Sequence, residues 1–236
     1  MRLEEKYKGR VAEEYLTERV DTHHWRREQQ IVSDMLREAG GASLIDVPVG
    51  TGRFLAFYKA LELRVIGFDI SPDMLKEART CADAQGVLDL ELQIGDIRGL
   101  PVGTGSADVV VCIRYMQHVS LEDFRVVMHE LVRVSSKTLI VGVHILQVQQ
   151  GVRRVIRAVV AEPVAMIRRL VKQIKRRTRA RERGIQTNPK NTEKPDSAVR
   201  DCFEEFGLRI KNEKLVATGL NPTRLIEYRI FHLEKL

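Results

Sequence analysis

The chain has 236 residues, 44% of them hydrophobic and 30% charged, which suits one well-buried globular domain with an appendage. It contains no run of about 18 apolar residues, which argues against a transmembrane helix, and the charged opening MRLEEKYKGRVAEEYL lacks the apolar core of a secretion signal. The formal net charge is +7, yet residues 152–184 hold 12 Arg/Lys and 2 acids, leaving 27 basic and 30 acidic groups elsewhere, so polyanion binding is confined to that segment.

In chain order, two helical segments come first, at about 3–18 and 23–39, the second spacing Trp25, Ile31, Met35 and Leu36 at near-helical intervals. Short apolar runs then alternate with amphipathic stretches. The runs are Ser43–Val47, Arg64–Phe68, Leu90–Ile94, Asp108–Ile113 and Thr138–Val143, and helices are predicted around 52–61, 72–85 and 121–134. Ser71-Pro72 is a clear helix start, because serine can cap the free N–H groups and proline suits the first helical position. Alternating apolar strands and helices predict an α/β fold with a parallel sheet covered on both faces.

After Val143 the alternation breaks. Residues 152–176 read as a basic amphipathic helix interrupted at Pro163, and 184–196 as a polar loop. A helix at about 197–206 follows, then two strands joined by Gly219–Pro222, a hairpin-like ending to the sheet. Cys81, Cys112 and Cys202 are widely spaced and follow no metal-ligand pattern, which suits a reducing, cytoplasmic setting; no metal site is expected.

The chemistry-bearing stretch is SLIDVPVGTGRF, residues 43–54. An apolar strand ends in Asp46, and Gly50, Thr51 and Gly52 precede a helix. Glycines let a strand-to-helix turn approach a ligand closely, and open α/β sheets bind ligands at this strand-end crevice. By itself such a loop is a weak signal, the alternative being a tight turn that binds nothing. Asp69 ends the second strand, where a carboxylate can accept from both hydroxyls of a ribose, or simply cap a helix. The third strand runs into Gly95, Asp96 and Ile97. Three successive strand tips that each present an acid exceed what turn chemistry requires.

With these residues in place, the chain resembles a class I S-adenosylmethionine-dependent methyltransferase of the group containing quinone and other small-molecule methyltransferases. The resemblance covers about 42–144 well and the C-terminal strands more loosely. It implies a Rossmann-like, doubly wound, seven-stranded sheet, mostly parallel with an antiparallel C-terminal strand. It also implies an N-terminal helical cap over residues 1–40 and a methyltransferase domain over 41–236, carrying the basic helical insert at about 150–185. S-adenosyl-L-methionine is the implied cofactor. Its amino-acid end would lie over Asp46, Pro48, Gly50, Thr51 and Gly52, its ribose on Asp69 beside Ile70 and Met74, and its adenine against Asp96 and Ile97. Ile113 would face the cofactor from the fourth strand tip, and Tyr7, in YKGRVAEEY, would close over it. Pro48 departs from the family pattern: it stands at the usual first glycine and has no N–H to donate.

Methyl transfer from a sulfonium needs an oriented nucleophile, excluded water and sometimes proton removal. Arg114, Tyr115 and His118 are the catalytic candidates in IRYMQHV, residues 113–119. His118 is read either as a general base or as a loop-fixing histidine, and Arg114 either as the receiver of an anionic substrate group or as one half of a salt bridge. Trp25 and His144 are candidate substrate contacts.

Three readings of the basic stretch 152–183 remain open: a helix docking on an anionic membrane surface, an RNA-phosphate site, or a lid with a solvated face. It has no aromatics for base stacking, which weakens the RNA reading. The expected function is transfer of a methyl group to oxygen or carbon of a small or lipid-linked molecule, in the cytoplasm or at the cytoplasmic face of a membrane. RNA methylation and a non-catalytic binding subunit are the alternatives.

Overall fold

The computed structural model describes residues 23–147, 193–221 and 224–236. The expected helix at 3–18, the cofactor contact at Tyr7 and the basic insert lie outside the described residues. The same holds for the first part of the polar loop at 184–196.

The described chain opens with helix α1 (His23–Ala39). Strand β1 (Ser43–Asp46) leads into the short helix α2 (Leu55–Ala60), and β2 (Arg64–Asp69) into α3 (Pro72–Gln85). Next come β3 (Leu90–Ile94), β4 (Ala107–Cys112), a 3₁₀ turn (Met116–His118), α4 (Leu121–Val134) and β5 (Ser135–Gln147). A two-residue strand β6 (Lys194–Pro195), helix α5 (Asp196–Glu205), β7 (Leu208–Asn221) and β8 (Arg224–Lys235) complete it.

The strands form one sheet in the order β3-β2-β1-β4-β5-β8-β7. The first five are parallel, and β8 pairs antiparallel with both β5 and β7, so β8 alone of these strands runs against the others. This is the expected Rossmann-like sheet, with one addition. β6 pairs in parallel with Ile145 and Leu146, beyond the point where β4 stops pairing at Val141. Residues 194–196, predicted to be loop, are therefore held: β5 outlasts β4 and offers an unpaired edge that the returning chain fills. Composition alone does not announce such pairing.

Alternation along the strands explains the two layers. In β4, Val110 and Cys112 face one core with Phe124, Val127, Met128 and Leu131 of α4 and Val199 and Phe203 of α5. Val109 and Val111 face the other, with Val32, Met35 and Leu36 of α1 and Leu55 and Tyr58 of α2. The apolar face of α4 is fully buried, and each such side chain contributes about 1.5–3 kcal/mol relative to exposure.

Helix ends follow local chemistry. Ser71 Oγ accepts from Met74 N at 3.4 Å, with Pro72 as the first residue of α3. Ser120 caps α4 by accepting from Asp123 N at 3.0 Å. Helix α2 begins at Leu55 rather than 52, because Gly52 at φ +78 and the turn after it carry the chain from strand to helix.

Candidate active site

The strand order reverses between β1 and β4, so the chain leaves their C-terminal ends in opposite directions and opens a crevice there. A cleft of about 780 Å³, open solvent at its mouth included, occupies that place. Pro48, Val49, Gly50, Thr51, Arg53 and Phe54 line it from the loop after β1, and Asp69, Ile70 and Met74 from the end of β2 and the start of α3. Ile113, Arg114, Tyr115 and His118 close the side after β4.

The loop after β1 is tied down from both sides. Val47 N donates to Val111 O at 3.0 Å, and Val49 N to Phe68 O at 2.8 Å. Gly50 sits at φ +57, and a Cβ there would meet no protein atom within 4 Å; it would project into open space. Gly52 differs. A Cβ on it would stand 2.6 Å from Leu55 Cδ1 and 3.2 Å from Ala78 Cα, so this glycine lets α3 pack under the loop and does not line the cleft.

Asp69 is 6% exposed. One of its oxygens accepts from Gly50 N at 3.0 Å and the other from Ser71 N at 2.9 Å. Burial raises its pKa, and those N–H groups oppose the rise. It thus joins the glycine loop to the start of α3 while facing the cleft. Asp46 lies beneath the loop instead of in the cleft: it is 2% exposed and accepts from Tyr58 Oη at 2.8 Å. Burial pushes its carboxyl up to about 7, a rise that the tyrosine bond opposes and the charge of Asp69 reinforces.

Asp96 and Ile97 do not line the cleft either. Asp96 accepts from the Arg98 side chain at the surface, a bond that lowers its pKa, and Ile97 is packed into the core. The sequence placed them at a strand tip. The turn after β3, closed by Gly99 N donating to Asp96 O at 2.9 Å, directs the aspartate toward its near neighbour.

Behind the cleft stands a group that the strand-tip pattern did not announce. Glu28 of α1 is fully buried and accepts from Arg53 through one oxygen and from Arg114 Nε through the other, the latter at 2.7 Å. Burial alone would raise its pKa, but the charges of Arg114 and Arg53 hold it below the ordinary carboxylate value. The Arg53 guanidinium is stacked 3.6 Å over Trp25 and 4.6 Å from the Phe54 ring, and donates to Trp25 O. Trp25 therefore holds Arg53 and is not a wall of the cleft. A signal for Glu28 was present: a carboxylate at helical spacing between Trp25 and Val32, on an apolar face, demands a partner.

Arg114 adopts φ +64, a left-handed conformation that costs a non-glycine residue about 1 kcal/mol or more. Its guanidinium lies 4.4 Å over the Tyr228 ring. His144 stacks on the same tyrosine, with centroids 4.5 Å apart, and does not line the cleft. Burial, aided by the charge of Arg114, lowers its pKa to about 3, so the imidazole is neutral. Its Nδ1 is buried without a hydrogen-bond partner. Burial also raises the pKa of Tyr115, which remains a neutral phenol.

The 3₁₀ turn bearing His118 is clasped by a residue missed in the sequence. Lys194 of β6, 2% exposed, donates to Met116 O at 2.7 Å and to Val119 O at 3.0 Å. His118 Nε2 lies 3.3 Å from Gln117 Nε2.

Residues 44–138 match the family model described as a methyltransferase domain. The chain is 33% identical over 109 residues to an uncharacterized 37.1 kDa protein in transposon TN4556 of Streptomyces fradiae, covering 45% of this chain and 31% of that one. It is 32% identical over 107 residues to ajmaline N-methyltransferase of Rauvolfia serpentina, covering 44% and 36%. The matches thus span about a third of each relative's length. Among solved structures, magnesium protoporphyrin IX methyltransferase from Synechocystis PCC 6803 with bound SAH has a TM-score of 0.68 at 14% identity. That likeness covers 99% of this chain and 98% of that one, and speaks to the fold.

Proposed function

We propose that the protein, whose residues 44–138 match the model of a methyltransferase domain, binds S-adenosylmethionine in the cleft between β1 and β4 and methylates a small-molecule acceptor. The observation that carries this reading is the pairing of Asp69 with Gly50. A buried carboxylate faces the cleft across a glycine whose missing Cβ leaves space for a ligand. Such a cradle suits a ligand with hydroxyls to donate and a bulk that must approach the backbone.

The donor set fits that cofactor. Asp69 would hold the ribose hydroxyls, Ile70 and Met74 would offer apolar surface beside it, and Gly50 and Thr51 would hold the amino-acid end. Pro48 lines the same stretch without an N–H, so backbone donation there falls to its neighbours. The bound cofactor supplies an activated methyl group. The chain's own residues then need only orient an acceptor and exclude water. Ile113, Phe54 and Tyr115 form apolar walls for exclusion, and Arg114 and His118 are the polar groups at the acceptor end. His118, held on its clasped turn, is the candidate for accepting a proton from an acceptor hydroxyl. Methylation at oxygen or carbon, a lipid-linked acceptor and docking of residues 152–183 on an anionic membrane at the cytoplasmic face are parts of the same proposal. The basic charge of residues 152–183 supports the membrane docking.

The test is thermal. A ligand present at 100 times its dissociation constant stabilises the native state by about 2.7 kcal/mol. One millimolar S-adenosylhomocysteine is expected to raise the melting temperature by several degrees. An unchanged melting temperature would remove the cofactor assignment.

A further inference from the structure

The chain places an arginine where a glycine would be at ease. Arg114, just past the end of β4, adopts φ +64 at the point where the backbone turns toward Tyr115 and the 3₁₀ turn bearing His118. A left-handed conformation crowds the Cβ of any residue but glycine, and it persists where the surroundings over-determine it. The side chain of Arg114 is part of what determines it. Its Nε donates to Glu28 at 2.7 Å, and its guanidinium lies 4.4 Å over the Tyr228 ring of β8.

Glu28 is a fixed post for that side chain. It is fully buried, on a helix anchored in the core by Val32, Met35 and Leu36. Its second oxygen accepts from Arg53, itself held by donation to Trp25 O at 3.2 Å and by stacking 3.6 Å over the Trp25 ring. Both carboxylate oxygens are thus engaged, each by a different arginine. A carboxylate can serve two donors in this way, whereas a carboxamide has one acceptor oxygen. Lys194 grips the far end of the same turn through Met116 O and Val119 O. Glu28 acts on the entry of the turn and Lys194 on its exit.

We propose that Glu28 is a positioning residue for the wall of the cleft that meets the methyl acceptor. By holding the Arg114 side chain it keeps that residue left-handed, and so sets where Tyr115 and His118 stand along the cleft. This inference rests on the methyltransferase reading for one point, that the wall bearing His118 faces the methyl acceptor. The hold of Glu28 on the turn is a property of the chain without any ligand, so the two can fail separately.

The experiment is amide hydrogen exchange, followed by NMR on the full chain without ligand. His118 N–H, which donates to Tyr115 O at 2.9 Å, reports the turn; Val65 N–H, which donates to Asp89 O at 3.0 Å, reports global opening of the sheet. Glu28→Gln is expected to accelerate exchange at His118 at least about tenfold. A Glu28 that served only overall stability would accelerate Val65 and leave the local opening at His118 unchanged, and that result would overturn the proposal. Rescue isolates the strained backbone. In the Glu28→Gln chain, Arg114→Gly and Arg114→Ala both remove the guanidinium, but glycine alone is free at φ +64. Arg114→Gly should return His118 to within about threefold of the wild type, and Arg114→Ala should leave it at least about tenfold faster. Equal exchange at His118 in the two double variants would also overturn the proposal. Where melting curves show Glu28→Gln to be unfolded, Arg114→Gly and Arg114→Ala in the otherwise wild-type chain carry the same comparison, with the same contrast expected. Failure of the wild type to bind S-adenosylhomocysteine in calorimetry would instead remove the methyltransferase reading, and with it the role of this wall, whatever the exchange rates.

Discussion

Glu28 accepts a hydrogen bond from Arg114 Nε at 2.7 Å, joining residues 86 positions apart and fastening α1 to the turn after β4. The same carboxylate takes Arg53 from the loop after β1. One buried acid thus holds three segments around the cleft.

Removing that acid leaves two guanidiniums without their shared partner. Breaking a buried ion pair from one side costs about 3–5 kcal/mol. Glu28→Gln is expected to lower unfolding free energy in urea by about 3 kcal/mol. The sign of its pH dependence follows from a folded pKa held below 4.5. The stabilisation is fully present above pH 4.5 and is lost as pH falls through the folded value. The variant should therefore lose less stability on acidification than the wild type.

Asp46 has the opposite sign. Its folded value of about 7 lies above the ordinary 3.8, so the stability it contributes is present below pH 3.8 and is lost as pH rises through 7. That span corresponds to about 4 kcal/mol at most. Urea unfolding at pH 5 and pH 8 should show Asp46→Asn gaining on the wild type at the higher pH. Tyr58→Phe should behave differently: it removes the donor to Asp46 Oδ2 and costs about 1–3 kcal/mol with the carboxylate left buried.

The two glycines of the loop are expected to separate binding from folding. Gly50→Ala places its methyl in open space at φ +57, costing about 1–2 kcal/mol of stability while obstructing the cleft. Gly52→Ala drives a methyl to 2.6 Å from Leu55 Cδ1 and to 3.2 Å from the backbone of α3, which adds overpacking to the same backbone penalty. Melting curves should rank Gly52→Ala well below Gly50→Ala. Titration with S-adenosylhomocysteine should show the larger loss of affinity per kcal/mol of stability in Gly50→Ala.

Lys194→Met removes the ammonium from two carbonyls of the turn bearing His118. Leaving buried acceptors unpaired costs about 1–3 kcal/mol. Amide hydrogen exchange should accelerate at His118, whose N–H closes that turn on Tyr115 O, and stay unchanged at Val49, whose N–H is held by Phe68 O. Equal protection at His118 in variant and wild type would show that β6 does not support the turn.

The sheet was legible because its signals are local. The continuous apolar run of β4, the Ser71-Pro72 start and the apolar face of α4 all lie within one element. So were the cleft residues Pro48, Gly50, Thr51, Asp69, Ile113, Arg114, Tyr115 and His118, which the strand-tip rule brings together. Asp46 and Asp96 show the limit of that rule. It fixes where a residue leaves the sheet, whereas the nearest donor, Tyr58 in one case and Arg98 in the other, decides which way the carboxylate turns. Glu28, Tyr228 and Lys194 come from segments distant in sequence, and their pairing depends on tertiary placement. Arg53, directly after Gly52, is a further cleft cation that its position alone could have flagged.

The central claim is that Asp69 and the Gly50 cradle bind the nucleoside of S-adenosylmethionine. Isothermal titration with S-adenosylhomocysteine, on the wild type and on Asp69→Asn, tests it most directly. Hydrogen bonds to a charged group contribute about 1.5–3 kcal/mol, so the account predicts saturable binding by the wild type and a loss of about 10- to 100-fold in the variant. No heat of binding from the wild type at millimolar ligand, or equal affinity in the two proteins, would contradict it.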